Sequence, residues 1–315
     1  MDRQGWRRTA LFVATAIALL TGWATGETLT LGAWNIEHLG EPRYEKDGAD
    51  LADYIAASGA KVIALEETMI THLDAHGLRR NLVLDAAVDQ LGPTWRYVLF
   101  GTSCTGRRQN LGVLFDRAVV RPKMYLKLPV PTDLYHPHKH RNGIKRHRIL
   151  CRAPVAIWFQ AHGNQTDFLL IPVHLKANEP SQPHPEQIID HRKIEAEHIV
   201  RALAEILPKV GEGTERDVYI GGDTNILDHD DADMRAFLKA GFVDLNATDA
   251  PTYVAGTAPF DRFLVARDSV EVRRNSFRVH KAYAAKRGLT SAEFESRYSD
   301  HYMVTFQIEL MADDD

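Results

Sequence analysis

The sequence predicts a layered α/β fold, and three observations predict it. Apolar runs of strand length alternate with segments of helical period, and several of those runs end in a polar residue able to do chemistry. The longest helical segment, Glu186 to Leu207, sets Ile188, Ile199, Leu203 and Ile206 on one face, as a helix laid on a sheet does, and Pro208 closes it. Strand ends in such folds are where side chains from separate strands converge on a ligand.

Taken in order, Thr28 to Asn35 alternates as a strand and then breaks into Asn35, Glu37 and His38. Asp47 to Ser58 carries helical spacing through Leu51, Tyr54 and Ile55, and Lys61 to Leu65 is a short buried strand ending in Glu66 and Glu67. Adjacent strand residues face opposite ways, so one of these two acids is expected to face a site. Leu78 to Leu91 reads as a helix, followed by strands at Arg96 to Phe100 and Leu111 to Phe115. Strands are further expected after Arg152, from Asp167 to Val173 before His174, and from Asp217 to Gly221 before Gly222-Asp223-Thr224-Asn225. Met234 to Ala240 reads as a helix stopped by Gly241, and Phe260 to Val265 as a strand with Asp261 near its start. Thr290 and Glu293 stand at capping-box spacing, and the helix they open leads to Ser299-Asp300-His301 and a last strand, Tyr302 to Ile308.

With 315 residues, 44% of them hydrophobic, the chain can bury a substantial core, and global disorder is excluded. Residues 1–26 read as a bacterial secretory signal peptide: Arg3, Arg7 and Arg8 precede the apolar run Ala10 to Leu20, and Ala24 and Gly26 offer small cleavage positions. An uncleaved anchor shares this pattern, but the run is short for a bilayer span. Residues 27–315 are then expected as one domain, secreted or periplasmic, without stable membrane association. Its 35 basic and 41 acidic residues give a net charge of −6, so affinity for a polyanion requires a local patch. One exists between His136 and Arg152, where His136, His138, His140 and His147 interleave with Lys139, Arg141, Lys145, Arg146, Arg148 and Arg152 and no acid intervenes. This segment is expected as a surface loop. Its irregular spacing and lack of Cys make a weak case for zinc or copper. Cys104 and Cys151 form either one disulfide or two buried thiols.

The polar strand ends, in chain order, are Trp34-Asn35, Leu65-Glu66-Glu67, Val173-His174-Leu175, Gly222-Asp223-Thr224-Asn225 and Ser299-Asp300-His301. Each alone has an ordinary structural reading: Asn35 as a turn residue, the Glu pair as a solvated strand end, His174 as a core histidine. Together, over residues 28–309, the series resembles the endonuclease/exonuclease/phosphatase superfamily, which includes deoxyribonuclease I, abasic-site endonucleases, neutral sphingomyelinases and inositol polyphosphate phosphatases. The resemblance implies a four-layer sandwich, two facing mixed β-sheets flanked by helices, with a divalent-metal phosphoesterase site at one end. It implies Mg²⁺, with Mn²⁺ or Ca²⁺ as alternatives, held by Glu67 and lying beside Asn35 and Asp300. It makes Asp223 and Asn225 the residues that position water and phosphoryl oxygens, His301 and Asp261 a His–Asp pair, and His174 a second histidine. Arg152, in Arg-Ala-Pro-Val, is similar to a phosphate-binding arginine, and Arg107 and Arg148 are further candidates for phosphate contact. Where deoxyribonuclease I-like enzymes carry Tyr and Glu, this chain carries Arg107 and Gln109; a neutral Gln would orient His174 without favouring its protonated form.

The leading expectation is a secreted, metal-dependent phosphodiesterase acting on nucleic acid, DNA above all, as an endonuclease. The alternatives are a phosphoesterase for a lipid headgroup or small phosphorylated metabolite, and an inactive binding protein or toxin subunit.

Overall fold

The alternation that marks the first strand also sorts its side chains between two cores. In β1 (Thr28–Leu39), Leu29, Leu31 and Ala33 enter one apolar cluster, while Trp34, Ile36 and Leu39 enter another. The structure is a computed structural model and describes residues 27–311 except 107, 132, 141–142, 164–165, 179–184 and 211–214. The expected signal peptide, residues 1–26, and Arg107 lie outside the described residues.

Numbered along the chain, one six-stranded sheet has the order β15 (Arg278–Val279), β16 (Val304–Glu309), β1, β2 (Val62–Thr68), β6 (Asn110–Asp116), β5 (Trp95–Leu99). The other has the order β13 (Phe242–Asp244), β14 (Asp261–Ala266), β12 (Val218–Asp223), β11 (Asp167–His174), β10 (Val155–Ala161), β7 (Val120–Lys127). Each sheet holds one parallel pair, β1 with β2 and β11 with β12, among antiparallel neighbours. Two hairpins stand apart: β3 (His72–Leu73) with β4 (Arg79–Arg80), and β8 (Tyr135–His140) with β9 (Gly143–Arg148).

The helices are α1 (Gly48–Ser58), α2 (Leu82–Leu91), α3 (Pro185–Ile206), α4 (Ala232–Lys239), α5 (Ala282–Lys286) and α6 (Ser291–Arg297). Leu51 and Ile55 of α1, Leu84 and Val88 of α2, and Phe294 of α6 pack with Trp34, Ile63 and Leu65 on the outer face of the first sheet. Ile199 and Leu203 of α3 and Phe237 of α4 pack with Leu169, Ile171 and Ile220 on the outer face of the second. Between the sheets lie Phe159, Phe168, Tyr219, Phe263 and Phe306, with Phe263 and Phe306 centroids 4.6 Å apart. Each such buried aromatic contributes about 2–3 kcal/mol. The expected four-layer sandwich is therefore the architecture observed.

Local signals act where they were read. Asp47 accepts from Ala49 N at the start of α1, and Thr290 with Glu293 closes a capping box on α6. The first turn of the expected helix from Leu78 is instead β4 and the cap Asn81, whose side chain accepts from Val83 N and Leu84 N. The expected loop at 136–152 is largely the β8–β9 hairpin, whose strands carry histidine and arginine in place of apolar alternation. Cys104 and Cys151 form a disulfide with Cα atoms 5.0 Å apart, deciding between the two readings. Among the described residues no helix is long and apolar enough to cross a membrane.

At the end of β12 away from the polar strand ends, Asp217 lies against Glu271, Ser269 and Tyr219. Burial, helped by Glu271, pushes the Asp217 carboxyl up to about 8. A carboxyl raised on folding stabilises least when ionised, so its contribution is full below the unfolded value and is lost as pH rises toward 8. Asp217→Asn should therefore gain stability relative to the wild type between pH 5 and pH 8, as read from urea midpoints at each pH. A constant difference across that range would contradict the raised Asp217 carboxyl.

Candidate active site

Strand parity alone brings most of the polar strand ends together. Asn35 continues the inward row of Leu29, Leu31 and Ala33, and Glu66 continues Val62 and Ala64. His174 follows Phe168 and Leu170, Asp223 follows Tyr219, and Asp261 precedes Phe263 and Val265. Because β14 runs antiparallel to β12, Asp261 at its start pairs in register with Asp223 at the end of β12, and Asp223 pairs with His174 across the parallel ladder. All of these residues face the space between the sheets at one end.

Glu67 reaches the same place by a different route. Alternation would send it outward with Ile63 and Leu65, but its backbone takes a left-handed φ of +54° where the β1–β2 register shifts. The side chain is re-aimed, and both acids of the pair reach one end of the sandwich, against the expectation for a regular strand. The Glu67 carboxylate accepts from Asn35 Nδ2 at 3.4 Å and His38 N at 3.3 Å, and lies 3.8 Å from His174 Nε2. Asn35 Nδ2 also donates to Asp223 Oδ2 at 3.0 Å. Asn225, left-handed at φ +55°, donates its N–H to Asp223 Oδ1 at 2.9 Å and turns its side chain toward Leu175 O.

The Ser299-Asp300-His301 segment is fastened to β1. Ser299 Oγ donates to Asn35 O at 2.6 Å and accepts from His301 N at 3.0 Å, while Trp34 Nε1 donates to His301 O at 3.1 Å. So held, His301 Nδ1 donates to Asp261 Oδ2 at 2.8 Å, and its Nε2 faces Asp223 Oδ2 at 3.9 Å and Asp300 Oδ1 at 3.8 Å. Burial alone would lower this imidazole, but Asp261, Asp223 and Asp300 outweigh it and hold His301 well above its ordinary value. Burial, followed by Arg152 and His301, drives His174 well below. The two histidines thus divide into an imidazolium and a neutral imidazole. Burial raises Asp223 to about 7 and Asp300 to about 6, and holds Glu66 well above the carboxylate range, with no hydrogen-bond partner for either oxygen among the described residues.

That excess of acid is the test of whether a metal fits. Glu67, Asp223 and Asp300 bring hard carboxylate oxygens together at one buried end, with Asn35 Nδ2 between Glu67 and Asp223, and a Mg²⁺-like ion would offset the burial, and the acid–acid repulsion second to it, that raise Asp223 and Asp300.

The arginines behave differently. Arg152 lines the adjoining groove, but three of its N–H groups serve the fold: Nε donates to His174 O at 2.9 Å, Nη2 to Leu175 O at 2.8 Å and Nη1 to Gln109 Oε1 at 3.3 Å. Gln109 therefore holds Arg152, and no Gln109–His174 hydrogen bond occurs among the described residues. Arg148 lies farther along the groove, a cavity of about 560 Å³ that runs from Glu67 and His174 past Lys176, Arg146 and His147. Sequence reasoning missed Lys46, whose buried ammonium donates to Glu37 Oε2 at 3.2 Å and Tyr298 O at 2.9 Å beside Asp300. No strand end marks it. Lys176 was also missed, although its place two residues after His174 is a signal.

No protein-family profile matches the sequence, and no curated protein does. Solved structures do match. An endonuclease/exonuclease/phosphatase from Bacteroides vulgatus superposes with a TM-score of 0.60 at 14% identity, covering 90% of this chain and 99% of that one. The chain has the endonuclease/exonuclease/phosphatase fold. The human Nocturnin catalytic domain with bound sulfate shares this fold at a TM-score of 0.57 and 11% identity, over 90% of this chain and 95% of that one. A mannosyl-6-phosphatase from Bacteroides thetaiotaomicron does so at 0.55 and 13%, over 88% and 98%. In the endonuclease/exonuclease/phosphatase fold as this chain builds it, the polar cluster caps the inter-sheet core.

One backbone position controls that cap. Gly222 has φ +143°, and a Cβ there would overlap Val173 O and stand 2.7 Å from Glu66 Oε1. Gly222→Ala should cost at least about 2 kcal/mol by denaturant unfolding. A variant of wild-type stability would show that β11 and β12 are looser here than this contact requires.

Proposed function

We propose that the protein is a divalent-metal-dependent phosphodiesterase that cleaves nucleic acid, with DNA as the expected substrate. The observation that carries this reading is the continuity of the acid, amide and imidazole cluster with a groove lined by Arg146, Arg148, Arg152 and Lys176. A single phosphate needs one or two cations; a row of them suits a chain of phosphates.

Glu67, Asn35 and Asp300 would hold the ion, which when bound supplies positive charge to a phosphoryl oxygen. Asp223, with a proton affinity matched to neutral pH, takes a proton from a water that Asn225 and Asn35 orient. Asp261 holds His301 with Nε2–H directed into the site, where it donates to a phosphoryl or leaving oxygen. His174 stays neutral and supports the same water or oxygen by hydrogen bonding.

A second reading is hydrolysis of a small phosphorylated metabolite. It is favoured by the fold neighbour named a mannosyl-6-phosphatase and by the commitment of Arg152 to backbone carbonyls. We further propose that the chain is exported through residues 1–26; the Cys104–Cys151 disulfide supports an oxidising compartment.

The test is nicking of supercoiled plasmid in Mg²⁺ by residues 27–315. EDTA should abolish nicking, and His301→Ala should slow it about 10²- to 10⁴-fold. Arg146→Ala/Arg148→Ala should weaken DNA binding and reduce its salt dependence, while turnover of a small aryl phosphodiester is spared. Hydrolysis of sugar phosphates without nicking would favour the second reading.

A further inference from the structure

The β8–β9 hairpin carries histidines that the active site does not use. His136 and His138 from β8 meet His191 from α3, with ligand nitrogens all within 4.8 Å of one another. The ring centroids form a near-regular triangle: 5.2 Å from His136 to His138, 5.2 Å from His138 to His191 and 5.7 Å from His136 to His191. His138 Nε2 and His191 Nδ1 stand 3.1 Å apart. Tetrahedral ligation with metal–nitrogen bonds of about 2.0–2.1 Å sets nitrogens about 3.3 Å apart. One pair is already at that spacing, and the partly buried His136 has at most about 1.5 Å to close.

Two further observations point to a ligand. His136 Nδ1 is buried with no hydrogen-bond partner among the described residues. On the far side of His191, Nε2 lies 3.4 Å from Glu195 Oε1. A carboxylate behind one imidazole nitrogen fixes the proton there and leaves the other nitrogen as a lone-pair donor, the usual outer partner of a metal-bound histidine. Glu195 is itself fixed, accepting from Leu150 N at 3.0 Å and Lys176 N at 2.7 Å.

We propose that His136, His138 and His191 form a second metal site, for an imidazole-preferring ion of the zinc class, that fastens the β8–β9 hairpin to α3. Three imidazoles select zinc-class ions over Mg²⁺, whereas the oxygen donors of the active site select the reverse. The fastening bears on substrate because β9 carries Arg146 and Arg148 along the groove wall. Besides the imidazole contact, Lys139 N donates to Gln187 Oε1 at 2.7 Å between the hairpin and α3.

The experiment is zinc retention by residues 27–315 after dialysis in excess Mg²⁺, measured by elemental analysis beside His136→Ala and Glu67→Gln. Wild type and Glu67→Gln should each retain one equivalent, while His136→Ala, checked for fold by circular dichroism, should retain at least about tenfold less under the same free zinc. Zinc should also protect the hairpin of the wild type, but not of His136→Ala, from limited proteolysis. Equal retention by wild type and His136→Ala would overturn the proposal. So would the absence of retained zinc in the wild type, leaving His138 and His191 as a hydrogen-bonded pair only. Loss of zinc in Glu67→Gln alone would place the ion in the active site and overturn it equally. None of these readouts depends on phosphodiesterase activity.

Discussion

The hydrogen bond from Asn35 Nδ2 to Asp223 Oδ2 joins one sheet to the other, and the site is assembled around it. Asn35 is the last inward residue of a row from the first sheet, and Asp223 of a row from the second. Asp223 in turn organises Asn225 through a backbone N–H, faces His174 at 3.4 Å and stands opposite His301. Nothing apolar could replace this contact without separating the acids that share its charge. The aromatic layer beneath, from Phe168 to Phe306, keeps the two rows level. Site geometry and inter-sheet packing are therefore one constraint.

Much of this was legible because it depends on period 2 and on chain order. A residue two places beyond a buried apolar residue shares its face, so Asn35, His174, Asp223 and Asp261 could be placed at a common end by sequence reasoning. What could not be read was where the period fails. Glu67 reaches the site through a left-handed backbone, and only three-dimensional pairing with β1 creates the register shift that accommodates it. Lys46 was illegible for another reason: its partners are Glu37 and the carbonyl of Tyr298, the latter 252 residues away along the chain. Arg152 was legible as a cation near the site but not as one whose donors hold the ends of β11 in place.

The basic segment shows how composition can suggest one task where structure finds two. Along β9 Arg146 and Arg148 meet the groove, whereas His136 and His138 of β8 turn to α3, and His147, which also lines the groove, lies with its ring 4.3 Å from that of His138. A sequence reader sees a run without acids. The missing counter-charge is supplied from a distant helix by Glu195, which also ties Leu150 to Lys176.

The disulfide links chain that follows β5, at the edge of the first sheet, to chain that precedes β10 in the second. It therefore acts as a clasp between the two sheets on the groove side, since Cys104 and Cys151 both line the groove. The groove's width on that side is set by a covalent bond rather than by the compliance of packed side chains. An intact clasp gives an entering substrate a mouth of fixed gauge, and a reduced one would turn a rigid jaw into a hinged one.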